Sequence, residues 1–261
     1  RRSEELAQAR GPAADLLPRM TDRASGHPPR AARLPLFDPE SVPRDPDFVV
    51  PTVRGDAVPI ERLQATALRA RLANPPAWTP EIRTDGRWRS LDAPIRPAAV
   101  LLPLLARGNA LHVLLTERTA HLHDHAGQIS FPGGRVDATD RDPVHTALRE
   151  AEEEIGLPAA AVEVIGELPQ YVTATAYAVT PVVGLIEGPF TPSLDRFEVA
   201  EVFEVPLAFL MDPANHQRHR IEFDGAMRTF YAMPWLAPAR RYFIWGATAA
   251  MLRNFYHLLR A

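Results

Sequence analysis

Three glutamates are the residues of this sequence most able to do chemistry: Glu150, Glu153 and Glu154. On an α-helix, residues three or four positions apart lie on one face, so the three carboxylates would repel each other by roughly 0.2–0.5 kcal/mol per pair. Their place near the expected end of a helix also opposes the helix dipole. Hard divalent cations with oxygen ligands would compensate for both effects. The spacing alone favours a solvated acidic face, and the neighbouring residues reverse that preference.

The residues around these glutamates predict a helix over 143–155 that follows a glycine turn. Asp142 can accept hydrogen bonds from the first-turn amides, and Pro143 suits the first helical position. Residues at helical spacing form one apolar stripe, which consists of Val144, Ala147, Leu148, Ala151 and Ile155. The Gly133-Gly134 pair allows the backbone to approach a ligand, and the carbonyl of Gly134 is a candidate metal ligand. These features together indicate a carboxylate-rich metal site.

The elements that must position this helix read as strands interspersed with helices. Strands are predicted over 98–105, 110–116, 162–168, 179–186 and 199–205, with a short helix over 206–211. A hairpin is predicted around Asp224-Gly225, and a closing helix over 242–260. This arrangement favours an α/β domain with a mixed β-sheet.

The first 95 residues differ in texture from the rest of the chain. They hold 14 of the 27 prolines, which limits regular structure because proline lacks a backbone donor and fixes φ. One helix is predicted there, over 61–72. We therefore expect a Pro-rich, partly ordered N-terminal arm over 1–95, partly packed on a domain that comprises 96–261.

Composition excludes several classes of function. The net charge of -3 gives no basic field for nucleic acid or for an anionic membrane. The absence of Cys excludes disulfides, thiolate zinc sites and cysteine nucleophiles. Because no stretch approaches the ~18 apolar residues of a membrane span and no secretory signal is recognisable, a cytoplasmic location is predicted. A homodimer is compatible with the sequence.

The helix and its glycine turn resemble the Nudix box. The box consists of a glycine, an acidic residue and then Arg-Glu-apolar-x-Glu-Glu-x-Gly-apolar, and residues 149–157 match every specified position of that last segment. Two features depart from the pattern: the loop between Gly134 and Arg149 is one residue longer, and the usual mid-box Glu is absent. The resemblance implies a Nudix-like α/β/α sandwich that hydrolyses a pyrophosphate bond with Mg²⁺ or Mn²⁺.

The Nudix resemblance also implies a role for each residue of the box. Glu150 and Glu154 match the principal metal ligands, and Glu153 matches a further ligand that is sometimes the catalytic base. Arg149 matches the arginine that orients one of the glutamates, while Glu152 occupies an unspecified, solvent-facing position. Cations held there would offset the charge of the two phosphates and lower the pKa of the attacking water.

A second motif, residues 114–134, resembles the extended signature of the coenzyme A (CoA) pyrophosphatase branch of that family. The signature reads Leu-Leu-Thr-x-Arg, then Leu-Arg-x-His-x-Gly-Gln/Glu-Ile/Val-x-Phe-Pro-Gly-Gly. The chain departs from the branch at His123, where Arg is usual, and at Ala176, where Gly is common. The resemblance implies hydrolysis of CoA or acyl-CoA, a small-molecule nucleotide substrate, to 3′,5′-ADP and 4′-phosphopantetheine.

Four residues of this second motif are candidates for substrate binding. Arg118 and His125 could contact the 3′-phosphate of CoA, because a charge-assisted hydrogen bond suits a phosphate. Gln128 and Phe131 complete the set. Each has a plain alternative: Arg118 could form a salt bridge at a strand end, His125 could brace the loop, and Phe131 fits the core better than an adenine stack.

A fourth carboxylate is expected from a later loop. Glu198 is the candidate, with Glu201 behind it, and an exposed acidic loop explains both residues equally well. The closest rival function is a Nudix pyrophosphatase acting on ADP-ribose or a dinucleotide. A non-catalytic nucleotide-sensing module is a third interpretation, and the intact glutamate set argues against it.

Overall fold

A long hydrophobic strand, β1 (Arg96–Arg107), lies at the centre of a mixed sheet. The structure is a computed structural model, and it describes residues 38–49, 56–85, 94–120, 127–223 and 225–261. The parallel neighbour of β1 is β7 (Tyr177–Ile186). Its antiparallel neighbours are β2 (Ala110–Arg118) and β4 (Gly133–Arg135). The sheet is completed by β3 (Ile129–Ser130), β5 (Glu163–Glu167), β6 (Tyr171–Val172) and β8 (Val199–Pro206).

A second, three-stranded antiparallel sheet follows in the chain. It consists of β9 (Gln217–Phe223), β10 (Ala226–Leu236) and β11 (Arg241–Trp245). The turn between β9 and β10 confirms the hairpin predicted around residues 224 and 225, of which residue 224 lies outside the described part. The closing helix was predicted too long, because residues 242–245 form a strand that pairs with β10. Gly246, at φ +64°, follows this strand directly and is the first residue of the closing helix.

Helices cover both faces of the mixed sheet. The helix α2 (Pro143–Ile155) packs on one face, where Ala147, Ala151 and Ile155 join Leu101 and Val182 in one apolar cluster. The helix α4 (Gly246–Arg260) contributes Met251, Leu252 and Phe255 to a larger cluster with residues of the opposite face. A short helix, α3 (Leu207–Leu210), follows β8. The predicted α/β sandwich with a mixed sheet is therefore confirmed.

The local sequence explains why α2 starts and ends where it does. Asp142 accepts a hydrogen bond from the His145 N–H at 2.7 Å, and proline occupies the first helical position. Gly156 ends the helix in the left-handed conformation. The predicted bounds of 143–155 are confirmed, and the predicted apolar stripe is the side that packs on the sheet.

The described part of the N-terminal arm packs against the rest of the chain. The helix predicted over 61–72 is a 3₁₀ turn (Ile60–Leu63) followed by α1 (Ala65–Ala73). Three apolar residues of this segment are buried in the larger core cluster: Val58, Leu63 and Leu68. Glu81 accepts hydrogen bonds from the Tyr231 hydroxyl at 2.6 Å and from Arg253 Nε at 2.8 Å. Residues 38–261 thus form one compact unit, and the division at residue 95 stays a prediction.

Within the described ranges, no helix is both long and apolar enough to cross a membrane.

Candidate active site

The glutamates of α2 do not all point the same way. Glu154 is only 5% exposed, and Glu150 is half-buried beside it. Glu152 is exposed, as predicted, and the side chain of Glu153 is 61% exposed. The helix therefore turns Glu150 and Glu154 towards β4, and it holds Glu153 at the rim.

The glycine pair of β4 allows this close approach of the helix. A Cβ atom at Gly134 would lie 2.5 Å from the carboxylate carbon of Glu150, which is far inside van der Waals contact. The Gly133 N–H donates a hydrogen bond to Glu154 Oε2 at 3.1 Å, and a Cβ there would lie 2.5 Å from the Ala99 carbonyl. Any side chain at either position would displace a carboxylate or the neighbouring strand.

Burial disfavours the charged forms of the Glu150 and Glu154 carboxyls. Burial raises the pKa of Glu154 to about 8, although the Gly133 N–H and Arg118 act in the opposite direction. Burial also raises the pKa of Glu150, and Arg149 opposes that shift. The negative charge of Glu198 contributes to both increases. A cation of high charge density would relieve this crowding.

Arg149 links Glu150 and Glu153 to Asp140, an aspartate that was not among the predicted site residues. Its guanidinium lies 3.0 Å from Glu150 Oε1 and 3.0 Å from Glu153 Oε2. It also donates two hydrogen bonds to Asp140, from Nε at 3.0 Å and from Nη2 at 2.9 Å. Arg149 therefore contacts two of the three glutamates, and the orienting role that the resemblance implies stays a prediction.

Asp140 is a buried side chain that fixes this arginine. The Asp137 N–H and the Thr146 hydroxyl donate to the same carboxylate at 2.8 Å and 2.9 Å. The hydrogen bonds from Arg149, followed by those of these neighbours, hold the pKa of Asp140 well below its usual range, although burial opposes them. The only signal in the sequence was the missing mid-box Glu, with Asp140 in its neighbourhood.

The 193–198 segment carries Glu198 to the site from a distant part of the chain. The backbone N–H groups of Ser193 and Asp195 donate to the carbonyls of Ile155 and Glu154, both at 2.9 Å. At its other end, the Thr119 N–H donates to the Glu198 carbonyl at 3.0 Å. The segment is therefore tied both to the end of α2 and to the end of β2.

Arg118 lies between two carboxylates. Its Nη1 is 3.8 Å from Glu154 Oε1, and its Nη2 is 3.9 Å from Glu198 Oε2. Both distances exceed that of a hydrogen bond, so the guanidinium N–H groups can still donate to an added anion. Three carboxylates and this guanidinium thus form one group of charged side chains. We call it the carboxylate cluster, and it consists of Glu150, Glu154, Glu198 and Arg118.

The remaining predicted residues take different positions. Gln128 is partly exposed, and its carbonyl accepts from the Arg118 N–H at 3.0 Å. Phe131 is buried in the larger core, which corrects its candidacy as a substrate-binding residue because its ring is not accessible. Glu201 is engaged elsewhere, with the Tyr242 hydroxyl at 2.8 Å. His123 and His125 lie outside the described residues.

The donor set of the carboxylate cluster suits a hard divalent cation. Carboxylates are the ligands that Mg²⁺ and Mn²⁺ prefer, and two of the three carboxylates, those of Glu150 and Glu154, have pKa values that burial raises. Across the described ranges, no three acidic or histidine side chains are already gathered at metal-binding distances.

Comparison with known proteins places these features in a family. Residues 94–223 match the family model described as NUDIX domain. Two relatives, from Escherichia coli O7:K1 (strain IAI39 / ExPEC) and Escherichia coli (strain K12), are each named Uncharacterized Nudix hydrolase NudL. They are 46% and 47% identical to this chain over 159 residues, which cover 61% of the chain and 80% of each relative.

Solved structures with a similar arrangement include a Caenorhabditis elegans Ap4A hydrolase in a binary complex. It is 20% identical, with a TM-score of 0.37, and the match covers 42% of this chain and 80% of that one. The family assignment rests on the sequence relatives and the domain match.

The domain match and the relatives, together with the glycine turn and the glutamate-rich helix, support a pyrophosphatase. The chain belongs to the Nudix hydrolase family. Enzymes of this family hydrolyse nucleoside diphosphate derivatives and generally use divalent cations such as Mg²⁺ or Mn²⁺.

Proposed function

We propose that this Nudix enzyme hydrolyses the pyrophosphate bond of CoA or acyl-CoA to 3′,5′-ADP and 4′-phosphopantetheine. The observation that carries the proposal is the position of Arg118, the arginine of the 114–134 motif. Its guanidinium lies within 4 Å of carboxylates of α2 and of the 193–198 segment, and it forms no short hydrogen bond to either. The 3′-phosphate of CoA can therefore bind to Arg118, next to carboxylates that would hold a cation.

The positions of the residues in the carboxylate cluster support the roles that the resemblance implies. Glu150 and Glu154 would hold Mg²⁺ or Mn²⁺ with help from the Gly134 carbonyl, and Glu198 would be the fourth carboxylate. When bound, the cation offsets the charge of the pyrophosphate and lowers the pKa of the attacking water. Glu153, at the exposed rim, serves as a further ligand or as the base.

Positioning of these groups depends on Arg149. Its contacts with Glu150 and Glu153 restrain two carboxylates at once, and its pair with Asp140 fixes the guanidinium itself. Such a fixed set of charges can stabilise the charge that develops in the transition state without reorganising. In addition to Arg118, Gln128 and His125 stay candidates for contacts with the substrate.

A substrate panel tests the proposal. We expect kcat/KM with Mg²⁺ or Mn²⁺ to be highest for CoA, lower for 3′-dephospho-CoA and lowest for ADP-ribose, with products identified by chromatography. Arg118→Gln should lower kcat/KM for CoA by roughly 10- to 150-fold, because a charge-assisted phosphate contact contributes about 1.5–3 kcal/mol. The matched control is Arg141→Gln, at an exposed arginine that precedes α2.

Two outcomes would contradict different parts of the proposal. Equal efficiency on CoA and ADP-ribose would refute the CoA assignment and leave the pyrophosphatase activity standing. Equal losses for Arg118→Gln and Arg141→Gln would show that the position of Arg118 is not what determines phosphate binding.

A further inference from the structure

Glu198 is held in place through its backbone, although its side chain is 44% exposed. In the peptide group that precedes it, the Phe197 carbonyl accepts a hydrogen bond from the Thr119 hydroxyl at 2.8 Å. The N–H of that peptide, which belongs to Glu198, donates to the Asp195 carbonyl at 3.1 Å. In the peptide group that follows, the Glu198 carbonyl accepts from the Thr119 N–H at 3.0 Å. The Val199 N–H donates to the Asp195 carbonyl at 2.8 Å.

The two peptide groups that flank Glu198 are therefore each held on both sides, by Thr119 and by Asp195. Because a peptide group is planar, φ and ψ of a residue are set once the planes before and after it are fixed. These two angles set the direction of the Cα–Cβ bond, and hence the direction in which the carboxylate leaves the backbone. A carboxylate that is oriented before its ligand binds loses less conformational freedom on binding.

The two anchors of Glu198 belong to the elements that carry the rest of the carboxylate cluster. The Asp195 N–H donates to the Glu154 carbonyl at 2.9 Å, which ties the turn to α2. Thr119 directly follows Arg118, at the end of β2. The Arg118 N–H donates to the carbonyl of residue 128 at 3.0 Å, and its carbonyl accepts from the N–H of residue 127 at 3.1 Å. Glu198 is thus oriented relative to both Arg118 and Glu154.

We propose that Thr119 is a positioning residue of the metal site, whose hydroxyl orients Glu198 towards a cation held by Glu150 and Glu154. The inference rests on the proposed function, in which Glu198 is the fourth carboxylate. Thr119 is 7% exposed, and it acts through the peptide group between residues 197 and 198. Loss of a residue that holds a metal ligand typically weakens metal binding by about 10- to 100-fold, and the low end of that range is expected where one ligand of several is affected.

The affinity for Mn²⁺ tests the inference without any nucleotide present. Free Mn²⁺ is measured by electron paramagnetic resonance on the wild type, Thr119→Val, Thr119→Ser and Thr248→Val. Valine keeps the branched shape of threonine without the hydroxyl, and serine keeps the hydroxyl. The control, Thr248, is a buried threonine of α4 whose hydroxyl donates to the Ile129 carbonyl at 3.0 Å. We expect Thr119→Val to weaken Mn²⁺ binding by about 10-fold, and the other two variants to keep the wild-type affinity.

A double-mutant cycle separates a positioning role from a structural one. If Thr119 acts through the Glu198 carboxylate, Thr119→Val should weaken Mn²⁺ binding in the wild type but not in Glu198→Gln. A hydroxyl that only stabilises the fold would give the same loss in both proteins.

A second pair of variants gives the same comparison if Thr119→Val does not fold. Asp195 is exposed, and its Oδ1 accepts from the N–H of residue 197 at 2.9 Å. Asp195→Ala removes this acceptor and should weaken Mn²⁺ binding. Asp195→Asn keeps an acceptor without the charge, and it should not.

Several results would overturn the inference. These are an unchanged Mn²⁺ affinity in Thr119→Val, an equal loss in Thr248→Val, a loss that persists in Glu198→Gln, or a Glu198→Gln variant that binds Mn²⁺ as the wild type does. A protein that shows the expected Mn²⁺ affinities but cleaves CoA no better than ADP-ribose would instead refute the proposed substrate and support the positioning role.

Discussion

The charge on Glu154 should make the metal-free protein less stable, although the same charge is needed for catalysis. Glu154 is 5% exposed, and burial raises its pKa from 4.5 to about 8. Because the pKa is higher in the folded than in the unfolded state, the contribution of Glu154 to stability is fully present below about pH 4.5 and is lost as the pH rises to about 8. Glu154→Gln removes this loss.

The size of the effect can be bounded from the structure. A pKa change from 4.5 to about 8 corresponds to at most about 5 kcal/mol at high pH. Solvent and the nearby guanidinium of Arg118 reduce this figure, and the glutamine oxygen can still accept from the Gly133 N–H. We therefore expect Glu154→Gln to raise the free energy of unfolding by about 1–3 kcal/mol at pH 9, and by less at pH 6.

Urea unfolding with a chelator at pH 6 and pH 9 measures this difference, and Glu152→Gln, at an exposed position of the same helix, is the control. Excess Mg²⁺ should reverse the order of stability, because only the wild type keeps the full ligand set. Turnover of Glu154→Gln should fall by about 100-fold or more. If the variant is destabilised equally at both pH values without metal, Arg118 already neutralises the carboxylate and the reasoning is wrong.

Four further changes test other parts of the structure. Glu150→Gln should lower kcat by about 100-fold or more, whereas Glu152→Gln should be nearly neutral, and comparable losses would mean that the wrong face of α2 was chosen. Asp140→Asn should lower kcat by roughly 10- to 100-fold, because Arg149 would lose the carboxylate that fixes its guanidinium. Unchanged steady-state kinetics would contradict this positioning role. Ala176 lies at φ +61°. Ala176→Gly should raise the free energy of unfolding by up to about 1 kcal/mol, since glycine adopts that conformation without strain. A lower urea midpoint for the variant would show that the backbone at Ala176 is not strained. Deletion of residues 1–30, which are rich in proline, should leave turnover largely intact, and a collapsed melting transition would show that they are structural.

The bounds of α2 could be predicted because the signals are local. A capping aspartate, a proline, an apolar stripe and a terminal glycine all lie within a few residues of the helix that they define. Local runs of apolar residues likewise predicted most strands of the mixed sheet. The prediction was wrong over residues 242–245, where a run that could continue into α4 forms a strand by pairing with β10.

In the candidate site, too, some features could be predicted from local sequence and others depend on the tertiary structure. The sequence by itself determined which helix carries the glutamates, which glycines adjoin it and which family they indicate, since these residues lie within one short stretch. Only the tertiary structure decided that Glu154 is buried, that Asp140 holds Arg149, and that the 193–198 segment brings Glu198 to Arg118. The last contact joins residues from distant parts of the chain. Such contacts depend on how the sheet and its loops close around α2, and no local pattern of residue types specifies that closure.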